Sequence, residues 1–394
     1  MFSWFKSRPS CRFLLFILLL SSCAPVLTAQ APRPSTLVSD DLDAESLRAA
    51  IGQSLAYLRK LAPERIVGEQ PRLFTAAEIE NSMTAFERLL GSGICPACLA
   101  GELDARFELV ASSGVADSIE VLFTGYYQPV IAGRLTPSDE YRYPIYAKPA
   151  DLTAAAVKIA DSDGAGGQDS LPTYYSRREI DEGGALRGRG LEIAWVKDPV
   201  DVFFLHIQGS GIISLPDGGR LNVGFAGQNG RPYRSIGRLL IDDGKITKEE
   251  MSMQRLRRYL AEHPQEQSDI FAYNESYVFF RVLGVLNGGP LGSLEVPLTA
   301  GRSIATDSRL FPKGALAVMQ TSIPVIGPAG ELSGWQPVTR WVLNQDTGGA
   351  IRGLQRADIY FGSGDQAGAL AGYMNRPGRL FFLLLKKQQG ASKE

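Results

Sequence analysis

Apolar residues recur with a helical period early in the chain and with a strand period later. Leu47, Ile51, Leu55 and Leu58 fall on one helical stripe, and Ile79, Met83, Phe86 and Leu90 follow a capping box formed by Thr75 and Glu78. Both stripes predict amphipathic helices whose apolar faces enter a core. From about Arg106 the pattern changes to short apolar runs punctuated by Gly and Pro, which predict strands at 119–127, 143–147, 191–195 and 202–208, then a Gly-rich stretch to Phe225. A helical interlude covers 235–242 and a segment opened by a second capping box, Thr247 and Glu250, that runs to about Glu262 before Pro264. Strands resume at 277–281 and continue to 379–386, where Leu380-Phe381-Phe382-Leu383-Leu384-Leu385 reads as a buried strand too short to span a membrane. The pattern predicts a mainly β protein with a few N-terminal helices, its second half a closed barrel or sandwich preceded by a β-rich insertion.

The first residues do not fit this scheme. Lys6, Arg8 and Arg12 precede an apolar run over 13–20, shorter than the ~20 residues a spanning helix needs, so this end reads as an export signal. Leu20-Ser21-Ser22-Cys23 resembles the lipobox of bacterial lipoproteins, whose Cys becomes the acylated first residue. The alternative is an ordinary signal cut near Leu27-Thr28-Ala29. Ala24 stands where an Asp commonly retains lipoproteins in the inner membrane, so the resemblance implies an outer-membrane address facing the periplasm. Residues 1–22 are expected to be a lipoprotein signal peptide and 23–40, rich in Pro, Ser, Thr and Ala, a flexible tether.

The 394 residues, 44% of them apolar, suffice for two or three domains. With 41 basic and 42 acidic side chains, no basic excess invites nucleic acid. Once Cys11 and Cys23 are set aside with the signal, Cys95-Pro96-Ala97-Cys98 remains, and in an exported protein such a pair can oxidise to a local disulfide or stay as inert thiols. Half a zinc site or a redox motif is the other reading, but His206 and His263 are the only histidines and no second CxxC exists. Neither a metal nor a cofactor is expected.

The chain has no GxxxxGK[ST] loop, no HExxH and no GxSxG elbow, and two histidines leave few bases for a Ser-His-Asp triad. His206, between Leu205 and Ile207 of an expected strand, reads as a half-buried sheet residue. Carboxylates and aromatics remain. A carboxylic acid in a shielded pocket resists ionisation and can donate a proton near neutral pH, which is glycosidase chemistry. The densest candidate is Gln345-Asp346-Thr347-Gly348-Gly349-Ala350-Ile351-Arg352-Gly353 followed by Ala357-Asp358-Ile359-Tyr360-Phe361-Gly362. Two glycines after Asp346 permit tight turns, and Asp358 stands where an apolar strand begins. Taken alone, these residues leave open a plainer reading in which Asp346 closes an Asx-type turn and Asp358 caps a strand.

The order of several motifs adds a resemblance. They are Phe123-Thr124-Gly125-Tyr126-Tyr127-Gln128-Pro129, Tyr143-Pro144-Ile145-Tyr146, Gln208-Gly209-Ser210-Gly211, Tyr233-Arg234-Ser235-Ile236-Gly237, Met251-Ser252-Met253-Gln254 and Ser276-Tyr277-Val278-Phe279-Phe280. A last block runs from Ala305-Thr306-Asp307 through Asp346-Thr347-Gly348-Gly349-Ala350-Ile351 to Asp358-Ile359-Tyr360 and looks like a three-aspartate domain. Together they resemble the membrane-bound lytic murein transglycosylase A family over most of 120–386.

The resemblance implies a double-psi β-barrel made of 41–130 and 271–390, a second β domain inserted at 131–270, and a groove between them for a glycan strand. It also implies lyase-type cleavage of the β-1,4 bond between N-acetylmuramic acid and N-acetylglucosamine in peptidoglycan, leaving a 1,6-anhydro ring. Asp358 matches the family's catalytic acid, acting as acid and then as base; Asp346 and Asp307 match the other two aspartates, with supporting roles. Thr124, Tyr126, Tyr127, Gln208, Gly209, Ser210 and Gly211 are the expected substrate-binding set. One of the two successive tyrosines should point inward, and a β-bulge or tight turn with no ligand is the plainer reading of 208–211. Several family members carry an acid where this chain has His206, which puts a catalytic role for that position in doubt. The other readings are a true hydrolase of the same bond, with a second acid such as Asp365 or Glu275 across the groove, and a non-catalytic wall-binding lipoprotein. The expected partners are peptidoglycan glycan strands, the membrane through a lipid anchor, and other cell-wall enzymes.

Overall fold

A computed structural model describes residues 33–37, 39–112, 120–152, 174–284, 288–349 and 351–387; the expected signal and Cys23 lie outside the described residues. The two N-terminal helices form at Ala44–Leu58, capped by Asp43, and Ala76–Gly91, capped by Thr75, and they bury the stripes that predicted them, except that Leu90 is only partly covered and Leu89 takes the core position. A third helix, Pro96–Arg106, starts with Pro at its first turn, and a Cys95–Cys98 disulfide closes that turn. Among the described residues no helix is long and apolar enough to cross a membrane.

The strands fall into three groups. β1 (Ile66–Gly68) and β2 (Phe74–Thr75) make a small antiparallel pair, and β3 (Phe107–Ala111) and β4 (Val121–Gln128) follow. Next come β5 (Val130–Arg134), β6 (Tyr143–Tyr146), β7 (Glu192–Val196), β8 (Ser210–Ser214), β9 (Arg220–Gln228) and β10 (Val278–Leu283). The last are β11 (Ser303–Ala305), β12 (Leu316–Ile326), β13 (Leu332–Asp346), β14 (Arg356–Ser363) and β15 (Asn375–Leu385).

Six strands close a barrel in the order β12-β13-β11-β14-β4-β15, with β15 returning to β12 and β3 adding to the side of β15. The β11–β13 and β14–β4 pairs are parallel. Phe123, Ile304, Val342, Ala357, Ile359 and Phe382 fill the interior, so the strand period sends every second side chain of β4 and β14 inward and its neighbours out. The second sheet runs β10-β9-β8-β5-β7-β6, and a bridge between Ala147 and Phe280 brings its two ends together. The fold is therefore mainly β, a closed barrel interrupted between β4 and β11 by a second β domain.

Four expectations change. Residues 202–208 form part of a helix, Pro199–Gln208, not a strand. Asp198 accepts the Val200 N–H, Pro199 sets the first turn, and Gly209 at φ 76° stops the helix. Val200, Phe203 and Phe204 pack on one side against a helical cluster while Val202 and Leu205 pack on the other against the sheet, so with two opposite sides buried and the apolar Ile207 exposed the sequence shows no clear 3.6 period. The Thr247–Glu250 box forms its hydrogen bonds but closes a turn, and the helix Met253–Glu262 begins later with Ser252 as its cap. β10, expected with the barrel from 271, pairs along Asn222–Gln228 and extends the second domain to about 283. The tether stops short of 40: Ser35 hydrogen-bonds through N and Oγ to Asp104, and Asp40 and Asp41 pair with the buried Arg302 and Arg340.

Candidate active site

β14 and β4 run in register, with Arg356 opposite Leu122, Asp358 opposite Thr124 and Tyr360 opposite Tyr126. Ala357, Ile359 and Phe123 enter the core, so these six side chains share the outer face of the barrel wall. The register extends further. Ala305 pairs with both Asp358 and Asp346, and Asn375 pairs with Thr124, giving one row of Asp346, Ala305, Asp358, Thr124 and Asn375 across five strands. With neighbouring strands ~4.8 Å apart, the Asp346 and Asp358 backbones stand ~10 Å from each other.

Asp358 keeps 15% of its side chain exposed. Its Oδ1 accepts the Thr124 hydroxyl and the Arg356 Nε–H, the latter at 3.2 Å. Both donors reach the same oxygen, so Oδ2 is left toward the open face. Asp346 is arranged differently. Its Oδ2 accepts the Tyr126 hydroxyl at 2.9 Å, and its Oδ1 accepts the backbone N–H of Ser293 at 2.8 Å and of Thr347 at 2.9 Å. Burial pushes the Asp346 carboxyl up, against the pull of those hydrogen bonds. The Tyr126 phenol is driven well above its ordinary value by burial and by Asp346, and Tyr360, whose ring lies 5.4 Å away, is pushed up to about 12 by burial.

Asp307 stands behind the row. It accepts the Gly353 N–H at 2.9 Å and the Arg309 guanidinium, and so ties the end of β11 to the loop that leads into β14. From the second domain, Tyr233 lies within electrostatic range of this face. Its phenol is raised chiefly by burial, with Ser235 and Arg356 opposing and Asp358 adding to the shift.

Other expected site residues take different positions. Tyr127 points inward and packs on Ala367 and Ala371, so of the two tyrosines it is Tyr126 that joins the acids. Gln208 accepts the Tyr127 N–H at 3.0 Å, which fastens a helix of the second domain to a barrel strand. Gly209 is a helix stop and Ser210 and Gly211 open β8, so the stretch is no bulge; a Cβ on Gly211 would lie 2.4 Å from the Leu205 side chain. His206 is fully buried on a helix, not half-buried in a sheet, with Nδ1 2.9 Å from Arg177 Nη1. Glu275 is paired with Arg231 at 2.8 Å, and Asp365 faces the Tyr127 side of β4. Sequence reasoning missed Arg356, whose place two residues before Asp358 in a strand already sets it on the same face, and Asn375, which only the register reveals. Among the described residues no group of three or more His, Cys, Asp or Glu side chains could hold a metal.

Comparison with known proteins agrees with this architecture. Residues 122–281 match the MltA specific insert domain, and residues 302–384 match the 3D domain. The membrane-bound lytic murein transglycosylase A of Escherichia coli K12 is 38% identical over 274 residues, spanning 69% of this chain and 67% of that protein. The crystal structure of the membrane-bound lytic murein transglycosylase from Agrobacterium tumefaciens superposes with a TM-score of 0.70 at 33% identity, over 87% of this chain and 93% of that one. The structure of E. coli MltA with bound chitohexaose gives 0.65 at 30%, over 86% and 90%. Fold, site and likeness define a murein-degrading enzyme of the lytic transglycosylase class. Within that class, the chain belongs to the membrane-bound lytic murein transglycosylase A family.

Proposed function

We propose that the protein cuts the β-1,4 bond between N-acetylmuramic acid and N-acetylglucosamine with Asp358 as its single acid and base, leaving 1,6-anhydromuramic ends. The observation that carries this reading is the contrast between two carboxylates on one row. Asp358 keeps Oδ2 open, whereas both oxygens of Asp346 are taken by three donors. A hydrolase needs a second carboxylate that can attack the sugar or activate water. Asp346 is committed elsewhere, and Glu275 is ion-paired. Asp358 can instead protonate the bridging oxygen from Oδ2 as the C1–O bond breaks, then accept the proton of the C6 hydroxyl as that oxygen closes onto C1. The nucleophile comes from the sugar, so the groove must exclude water and hold the ring in a reactive pucker.

In this reading Asp346 anchors Tyr126, and Asp307 braces the loop before β14. Tyr126, Tyr233, Ser210 and Gly209 contact sugar, while Thr124 serves the acid. The bound chitohexaose of the E. coli relative supports a saccharide in the groove. The same proposal includes a lipid on Cys23 that holds the protein at the outer membrane facing the periplasm; palmitate labelling that survives Cys23→Ala would overturn that part.

The test is mass spectrometry of purified sacculi digested by the protein. Anhydro ends are expected; reducing ends one water heavier would mean a hydrolase. Asp358→Asn should abolish release while glycan binding and the melting temperature stay unchanged. Undiminished release by that variant would remove Asp358 from the chemistry.

A further inference from the structure

The carboxylate at the centre of the row is held by a fork from its own strand. We propose that Arg356 is a positioning residue for Asp358: it fixes the Oδ1 edge of the carboxylate, keeps Oδ2 turned to the substrate, and faces the negative charge that grows as the proton leaves. The inference rests on Asp358 being the acid.

Three contacts close a triangle across two parallel strands. Arg356 Nε donates to Asp358 Oδ1 at 3.2 Å, Arg356 Nη2 donates to Thr124 Oγ1 at 3.3 Å, and the Thr124 hydroxyl donates to the same Oδ1. The register sets the triangle, because Asp358 lies opposite Thr124 and Arg356 shares its face at the i−2 position. A carboxyl group can turn about its Cβ–Cγ bond and offer either oxygen. Two donors converging on one oxygen remove that freedom, so the proton-bearing oxygen is oriented before substrate arrives.

Charge gives the second part of the role. When Asp358 hands its proton to the bridging oxygen, the C1–O bond breaks and a full negative charge appears on the carboxylate beside a fixed guanidinium. A preorganised cation aimed at developing charge lowers the barrier without rearranging during the step. The carboxylate then takes the C6 proton and returns to its starting form, so the arginine undergoes no net change. Thr124 alone, a neutral donor, would stabilise that charge less than a charge-assisted bond does. A lysine would supply charge without the two-pronged geometry that reaches Oδ1 and Oγ1 together. Arg356 keeps 35% of its side chain exposed, and an ion pair that open contributes little to folding. The role should therefore be visible in turnover and absent from stability.

The experiment uses the full chain on purified sacculi and on soluble glycan strands. Wild-type products are analysed first: reducing ends would overturn the reading of Asp358, and this inference with it, whatever Arg356 does. With anhydro ends in hand, Arg356→Met is expected to lower kcat about 100-fold. KM, glycan Kd and melting temperature should stay unchanged, and the product should remain the anhydro sugar. Arg356→Lys should recover about a tenth of wild-type kcat, because it restores charge without the fork. Adding Arg356→Met to Asp358→Asn should leave glycan binding where the single variant has it. The proposal is wrong if Arg356→Met keeps kcat near the wild-type value, or if its loss appears in KM with kcat intact, which would make the arginine a sugar contact. Should the methionine variant melt early, the lysine variant decides: a kcat equal to wild type at an unchanged melting temperature also refutes the fork.

Discussion

Each domain holds a buried polar cluster, and the two are completed to different degrees. In the barrel, both oxygens of Asp346 have donors, and Asp307, with 1% of its side chain exposed, holds Gly353 and Arg309. In the second domain the centre is a cation. Arg177, 2% exposed, donates to the carbonyls of Asn274 at 3.0 Å and Ser276 at 2.7 Å and to His206 Nδ1, while Asp181 stands 3.6 Å away with 42% of its side chain exposed. His206 Nε2 is buried with no hydrogen-bond partner among the described residues. In the barrel cluster every carboxylate oxygen has a donor. The second-domain cluster holds a segment in place: Asn274, whose carbonyl Arg177 holds, accepts the Arg234 N–H, and the adjacent Tyr233 lies within electrostatic range of Asp358. A neutral histidine beside a buried arginine makes that support dependent on proton concentration.

The contrast can be broken most severely at its cation. Arg177→Met strands two buried carbonyls, so it should cost about 3–5 kcal/mol in urea unfolding of the whole protein and degrade turnover through the displaced Tyr233 segment. A loss below about 1 kcal/mol would mean that the cluster is no support at all.

The barrel cluster gives a smaller and opposite effect. The folded-state carboxyl of Asp346 is raised, so its stabilising contribution is complete below the unfolded value and is lost as pH rises through the folded one. Asp346→Asn cannot ionise and should match or exceed wild-type stability at neutral pH by up to about 1 kcal/mol, with a flatter melting profile from pH 4 to 7 and reduced turnover. A variant clearly less stable at pH 7 would show that the charge itself holds the fold.

The smallest change is expected at His206. Burial and then Arg177 hold it well below its ordinary value, so its contribution is complete above the unfolded value near 6.5 and is lost as pH falls. Gln at 206 keeps an acceptor for Arg177 and cannot protonate. His206→Gln should stay within about 1 kcal/mol of wild type at pH 7 and remove the extra loss of stability on acidification. Parallel melting curves for the two proteins from pH 7 to 5 would sink the link to this imidazole.

Local pattern carried the helices of the N-terminal region, where caps and stripes agree, and most of the strands. It failed at 202–208, because a helix that buries two opposite sides and exposes an apolar residue, Ile207, has no clean polar face to mark its period. It also could not assign β10 to a sheet, since pairing is a long-range choice. Asp358 came from motif order and not from its own neighbourhood, where a strand cap was equally consistent. The partners of the acids were out of reach: Thr124 meets Asp358 across 234 residues of chain and Tyr126 meets Asp346 across 220. Arg356 was available from strand alternation alone once Asp358 was chosen.

The fastening of Ser35 to Asp104, and of Asp40 and Asp41 to two buried arginines, bears on where such an enzyme can graze. About a dozen residues separate Cys23 from Ser35, a leash of at most ~40 Å when drawn out straight. An acyl chain on Cys23 would confine cutting to the murein layer lying that close to the bilayer. Lengthening the leash, with the groove untouched, would deepen the layer within its range.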